Sequence, residues 1–301
     1  MLMQTMTPSG HPLPIIAAAS NWGSRTGGYL WSVVTTTLIE LLVFLGPLLL
    51  LAAIMHQISR RLEIAGVRLF GAKVHLKWFR ALGVAVHELG HAGMCVVFRH
   101  KIIKIKLFEP DPSTGVLGYV RHSFNPESVY QRVGNLFIGI GPVFSGGLVI
   151  YLALHVLLGN QVGTALTIPD ASESTSSLVG MVSGLMGMTF STALGLLSRL
   201  LSPSTILSWE FWVFLYIALT VGGNITLSKP DLDGARYGFQ FLVGVLAVAN
   251  ALLLLFLDLP ISSIIAAASR ATSIYAILVL AIVVNSFTLI LITGVQRILR
   301  K

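Results

Sequence analysis

Six stretches of this chain are apolar over lengths that a small soluble core rarely needs. They run Tyr29 to Met55, Trp78 to Phe98, Val133 to Leu158, Ile206 to Leu227, Tyr237 to Leu257 and Ile274 to Ile298. Each reaches or exceeds the roughly 20 residues that cross the hydrocarbon layer of a bilayer. In lipid a segment must satisfy its own backbone polar groups, so runs of this kind are helices. The expected fold is an all-α polytopic membrane protein with about six transmembrane helices. Composition agrees: 54% of the residues are hydrophobic and only 11% are charged, against about 25% charged in an ordinary soluble domain. A weaker run, Leu178 to Leu197, is rich in Gly, Ser, Thr and Met.

The net charge of +8 does not point to nucleic acid, because the Lys and Arg residues sit in short segments between apolar runs. That is the pattern of loops retained on the cytoplasmic face. The segment 159–177 carries no Lys or Arg and is expected outside. The segment 99–132 carries six and is expected inside, as are Arg297, Arg300 and Lys301. The stretch Gln57 to Arg80 also carries six, and simple alternation places it on the wrong side. Residues 1–26 contain no basic signal-peptide region and read as a loose tail. The lone Cys95 excludes an internal disulfide and a cysteine-built metal site.

One segment differs in texture. Lys101 to Phe108 alternates polar and apolar residues, Pro110, Pro112 and Gly115 break the chain, and Val116 to Phe124 resumes with β-branched and aromatic residues. This reads as a short β-hairpin at the membrane surface. No polar stretch is long enough for a separate soluble domain.

The second apolar run contains His87-Glu88-Leu89-Gly90-His91. Residues four apart share a helix face, so His87 and His91 can present both imidazoles to one metal ion. Glu88 lies about 100° around the helix, within reach of a water activated by that ion. Zinc brings the pKa of such a water to about 7, and the Glu relays the proton to a leaving amine. Two histidines and a glutamate inside an apolar run are costly in lipid, which favours a functional site over buried structural polar groups. A third protein ligand is needed. The acids in or beside apolar runs are Glu40, Glu210, Asp231, Asp233 and Asp258.

The sequence Lys229-Pro230-Asp231-Leu232-Asp233-Gly234 lies beyond the fourth run. With the His-Glu-x-x-His motif, its Leu-Asp-Gly resembles the site-2 protease family of intramembrane zinc metalloproteases. The resemblance covers residues 78–240. It implies a three-helix zinc protease core, Asp233 as third ligand, Asn224 as a substrate-binding residue, and a membrane-associated β element that guides an extended substrate. Asp231 is the alternative carboxylate. Gly141-Pro142-Val143-Phe144-Ser145 resembles the family's middle core helix, with Ser145 where Asn is common.

The division expected on this basis is a tail, 1–26; a first helix and basic loop, 27–77; the catalytic core, 78–240; and C-terminal helices, 241–301. The implied activity is zinc-dependent endopeptidase cleavage of single-pass membrane proteins or signal-peptide remnants in a cell membrane, with bacterial plasma membrane as the expected location. The alternative is a non-proteolytic zinc-binding membrane protein or pseudoprotease. Glu40 is expected as a buried, hydrogen-bonded acid and Glu210 as an interfacial anchor beside Trp209 and Trp212. His100, His122 and His155 lie outside ligand spacing and are expected in surface or interface roles.

Overall fold

A computed structural model describes residues 14–111, 113–162, 178–256 and 272–299. Helix α1 covers Pro14–Phe70, and α2 covers Ala72–His75. A π-helical turn, Leu76–Arg80, leads directly into α3, Ala81–Val97. Strands β1 (Lys101–Lys106) and β2 (Tyr119–Ser123) follow, then α4 (Val129–Gly139), α5 (Gly141–Val162), α6 (Leu178–Leu200), α7 (Pro203–Ile206), α8 (Trp209–Gly222), α9 (Lys229–Phe256) and α10 (Thr272–Leu299).

Among the described residues, four helices are long and apolar enough to cross a membrane: Thr26–Phe70, Gly141–Val162, Lys229–Phe256 and Thr272–Leu299. That is four rather than the six expected. The second apolar run falls in α3 and the π-helical turn that leads into it, the fourth forms the 14-residue α8, and neither is among those four. The weak run forms the 23-residue α6, packed against α10. The exterior is apolar: Val156 is 76% exposed and Phe256 81%. Apolar surface on that scale is suited to lipid.

Two expectations change on the N-terminal side. The stretch 14–26, expected as loose, belongs to α1. Gln57 to Arg80 is not a loop either. α1 continues to Phe70, Gly71 turns the chain with φ +79, and α2 folds back so that His75 lies against Gly66. A side chain at Gly71 would be strained in that left-handed conformation. The basic residues of this stretch therefore extend a helix and its return, and do not form a simple connecting loop.

Helix α5 runs through the centre, with Ile150, Leu154, Leu158 and Val162 fully buried. Polar side chains cross-link the bundle, as the low-dielectric interior requires of any that are buried. Asn250 Nδ2 donates to Thr37 Oγ1 at 3.0 Å and to Glu40 Oε2 at 2.8 Å, joining α9 to α1. Glu40 is thus hydrogen-bonded as expected, but half-buried rather than buried. Asn285 Nδ2 donates to Ala218 O at 3.3 Å and ties α10 to α8.

Helix α3 packs against α4, α5, α8 and both strands. Glycines permit the approach. A Cβ at Gly83 would stand 2.1 Å from Asn224 Nδ2 and from Thr220 O, and one at Gly90 would stand 2.4 Å from Ser145 Oγ. Ser145 Oγ donates to Val86 O at 3.0 Å, holding α5 to α3. The expected hairpin is present. β1 and β2 pair antiparallel, with a bulge between Ile102 and Lys104, and Glu109 N–H to Leu117 O (2.7 Å) and Asp111 N–H to Val116 O (2.8 Å) prolong the ladder. Overpacking of a tight core costs about 1–3 kcal/mol. Gly83→Ala is therefore expected to lower the thermal midpoint in detergent. An unchanged midpoint in a thermal unfolding scan would show that α3 and α8 can separate freely.

Candidate metal centre

His87 and His91 stand one turn apart on α3, and each ring is held by a backbone carbonyl from a different flank. His87 Nδ1 donates to Asn224 O at 3.0 Å, and His91 Nδ1 donates to Ile138 O at 2.7 Å. A carbonyl can only accept, so each Nδ1 carries the proton. Each neutral ring then presents Nε2 as a bare lone pair. The two Nε2 atoms lie 3.2 Å apart, and neither can donate to the other. Asp231 brings a carboxylate to the same point: Oδ1 is 3.2 Å from His91 Nε2 and Oδ2 is 3.8 Å from His87 Nε2.

Three acceptors converging in this way call for a cation between them. A proton on one Nε2 can point at only one neighbour, whereas a metal ion serves all three. A separation of 3.2 Å suits two nitrogens sharing one ion at about 2.0–2.1 Å each. Backbone carbonyls on the distal ring nitrogens are the usual support of metal-bound histidines. The group His87, His91 and Asp231 could therefore hold a metal ion, and the donor set of two imidazoles and a carboxylate suits zinc.

The expectation for Asp233 needs correction. Asp233 is exposed, while Asp231 faces the histidines. The reason lies in how α9 begins. Ser228 N–H donates to Asp231 Oδ2 at 2.8 Å, and Asp231 N–H reaches Ser228 Oγ at 3.4 Å. This reciprocal pair is a capping box, and it fixes Asp231 at the third helical position. Residues two apart on a helix point about 200° apart, so Asp233 must face away. The Ser-Lys-Pro-Asp spacing was the sequence signal for this. Asn224 does reach the site, but it acts on His87 through its main-chain oxygen. Its side-chain amide donates to Thr220 O at 2.7 Å.

Glu88, His87, His91 and Asp231 border a cavity of about 670 Å³. Glu88 is buried, and its Cγ lies close to Gly118. The segment Gly115 to Val120 and His122 line the same cavity. β2 pairs with β1 on one edge, and its other edge has no strand partner among the described residues.

A histidine pair that the sequence left as ordinary surface residues also belongs here. His100 Nε2 donates to Gln131 O at 2.9 Å, so its Nδ1 accepts from His122 Nδ1 at 3.0 Å. That relay fixes the tautomer of His122 on the cavity wall. Burial holds both rings below the ordinary histidine range, and for His122 the nearby His100 and His91 add to the effect. Glu210, in the first turn of α8 between exposed Trp209 and Trp212, stands away from this site. Asp258 lies outside the described residues.

Compared with models of protein families, with curated proteins and with solved structures, the chain gives no match. Metal analysis of detergent-purified protein tests the centre directly. About one ion per wild-type chain is expected, with most of it lost in Asp231→Ala and retained in Asp233→Ala. The reverse pattern for the two aspartates would reject the ligand set.

Proposed function

We propose that this chain is a zinc-dependent intramembrane endopeptidase of the site-2 protease kind. Its substrates would be single-pass membrane proteins or signal-peptide remnants. The observation that carries this reading is that Glu88 and the His87, His91 and Asp231 cluster line one cavity together with β2, a strand paired on one edge only among the described residues. In this reading α3, α5 and the start of α9 form the catalytic core, with the other long apolar helices around it.

His87 and His91 through Nε2, and Asp231 through its carboxylate, would hold the zinc. Zinc bound there would act as a Lewis acid and lower the pKa of a water to about 7. The free edge of β2 and the segment before it offer main-chain donors and acceptors to an extended peptide, which would add as a third strand. That mode requires the substrate helix to unwind locally, which exposes the scissile amide. Glu88 takes the proton from the attacking water as its oxygen bonds to the carbonyl carbon. The same carboxyl then gives that proton to the amide nitrogen as the C–N bond breaks. Asn224 and Ile138 hold the two imidazoles in register through both steps. The buried position of Glu88 and the enclosing hairpin limit access by bulk water.

The test is cleavage of a panel of single-pass membrane proteins in reconstituted vesicles, with wild type beside Glu88→Gln. A general base contributes about 10²–10⁴-fold, so the variant should bind zinc normally and lose cleavage by at least a hundredfold. Equal cleavage by both proteins would remove Glu88 from the chemistry. Zinc binding without cleavage of any panel member by wild type would favour a non-proteolytic zinc protein.

A further inference from the structure

Arg80 ends the π-helical turn that leads into the metal-bearing helix, and it lines the same cavity as His87 and His91. Its side chain is largely enclosed, at 18% exposure. A guanidinium has five N–H donors and no way to neutralise itself in a protein. Yet among the described residues it donates no hydrogen bond, and its Nε is buried without a partner. The nearest carboxylate is Glu63 on α1, whose Oε2 stands 4.0 Å from Nη1, too far for a hydrogen bond. Glu63 borders the cavity as well, and its side chain is 43% exposed. Burying an unpaired cation is costly, so this site calls for an acceptor. A small space of about 40 Å³ beside Ser59 and His75 also touches Arg80. It has room for water alone, which leaves the large cavity as the route for anything bigger.

Arg80 precedes His87 by seven residues, about two helical turns or 10 Å along the axis. An extended peptide covers that distance in about three residues. We propose that Arg80 is a specificity-determining residue that receives a substrate carboxylate about three residues from the bond cleaved, with Glu63 as the internal group it exchanges. This rests on the peptidase reading for the position of the cleaved bond. The fork of donors on Arg80 suits a carboxylate held in two-pronged fashion. The loose 4.0 Å contact keeps the cation in place without closing it off.

The experiment uses full-length protein carrying Glu88→Gln, so that binding is read without turnover. The probes are fluorescent ten-residue apolar peptides bearing one Asp, or Asn at the same position, walked along the sequence, with anisotropy measured in detergent. In the Glu88→Gln background, Asp is expected to bind about tenfold tighter than Asn at one position, about 1.4 kcal/mol. Adding Arg80→Gln should bring the ratio to one, and adding Glu63→Gln should raise it. An Asp-to-Asn ratio of one at every position would overturn the proposal, as would a ratio that survives in the Arg80→Gln protein. If Arg80→Gln does not fold, Glu63→Gln decides: a ratio unchanged from its parent rejects the exchange. Cleavage of the membrane-protein panel by wild type is scored separately. Failure of the peptidase reading therefore shows there, and failure of the Arg80 site shows in the peptide ratio.

Discussion

Two hydrogen bonds set the rest of the structure in order: His87 Nδ1–H to Asn224 O and His91 Nδ1–H to Ile138 O. Each has a net worth of about 1 kcal/mol, small beside the burial of the bundle. Their effect is on geometry and tautomer. They turn both Nε2 atoms toward one point and leave both as lone pairs. To supply those carbonyls, the end of α4 and the turn after α8 must lie on the two flanks of α3. That close approach is possible because Gly83 meets the Asn224 and Thr220 side of α8, and Gly90 meets Ser145 and Gly141 of α5. The small residues around the motif follow from where the carbonyls have to be.

The third acceptor comes from a different device. Helix α9 has to start near the metal-bearing helix, and its start is fixed by the Ser228–Asp231 capping box. One carboxylate oxygen answers the backbone while both face the imidazoles. Asp231 thus caps the start of a helix and faces both imidazoles with the same group. The positive end of the helix dipole also favours negative charge at this place.

Much of this was legible in the sequence, and the part that was not has physical causes. The spacing of His87, Glu88 and His91 gives a one-sided helical cluster whatever surrounds it, because helical periodicity is local. The hairpin was readable from alternation and its Pro and Gly break. Motif resemblance pointed to Asp233 rather than Asp231, and it could not see that two carboxylates two residues apart differ in which face of α9 they occupy. That face depends on where the helix begins, and the capping residue decides it. Helix count was overestimated for a related reason. Apolar runs mark burial as well as span, and the runs containing α3 and α8 include turns at their ends. The His100–His122 relay joins residues 22 apart through a tertiary contact, which no local pattern encodes.

The fold-back after α3 explains why the hairpin, the cavity and the polar cluster occur together. α3 ends at Val97 and β1 begins at Lys101, so the strands follow the metal-binding motif almost at once. Backbone beyond a helix end needs hydrogen-bond partners from protein or water. β1 and β2 supply them to each other and pack against α3. Tyr119, Val120 and His122 of β2 then line the same cavity as Glu88 and the two imidazoles. A helix enclosed by other helices on every side would leave those polar groups without such an opening, and the two-stranded sheet provides it.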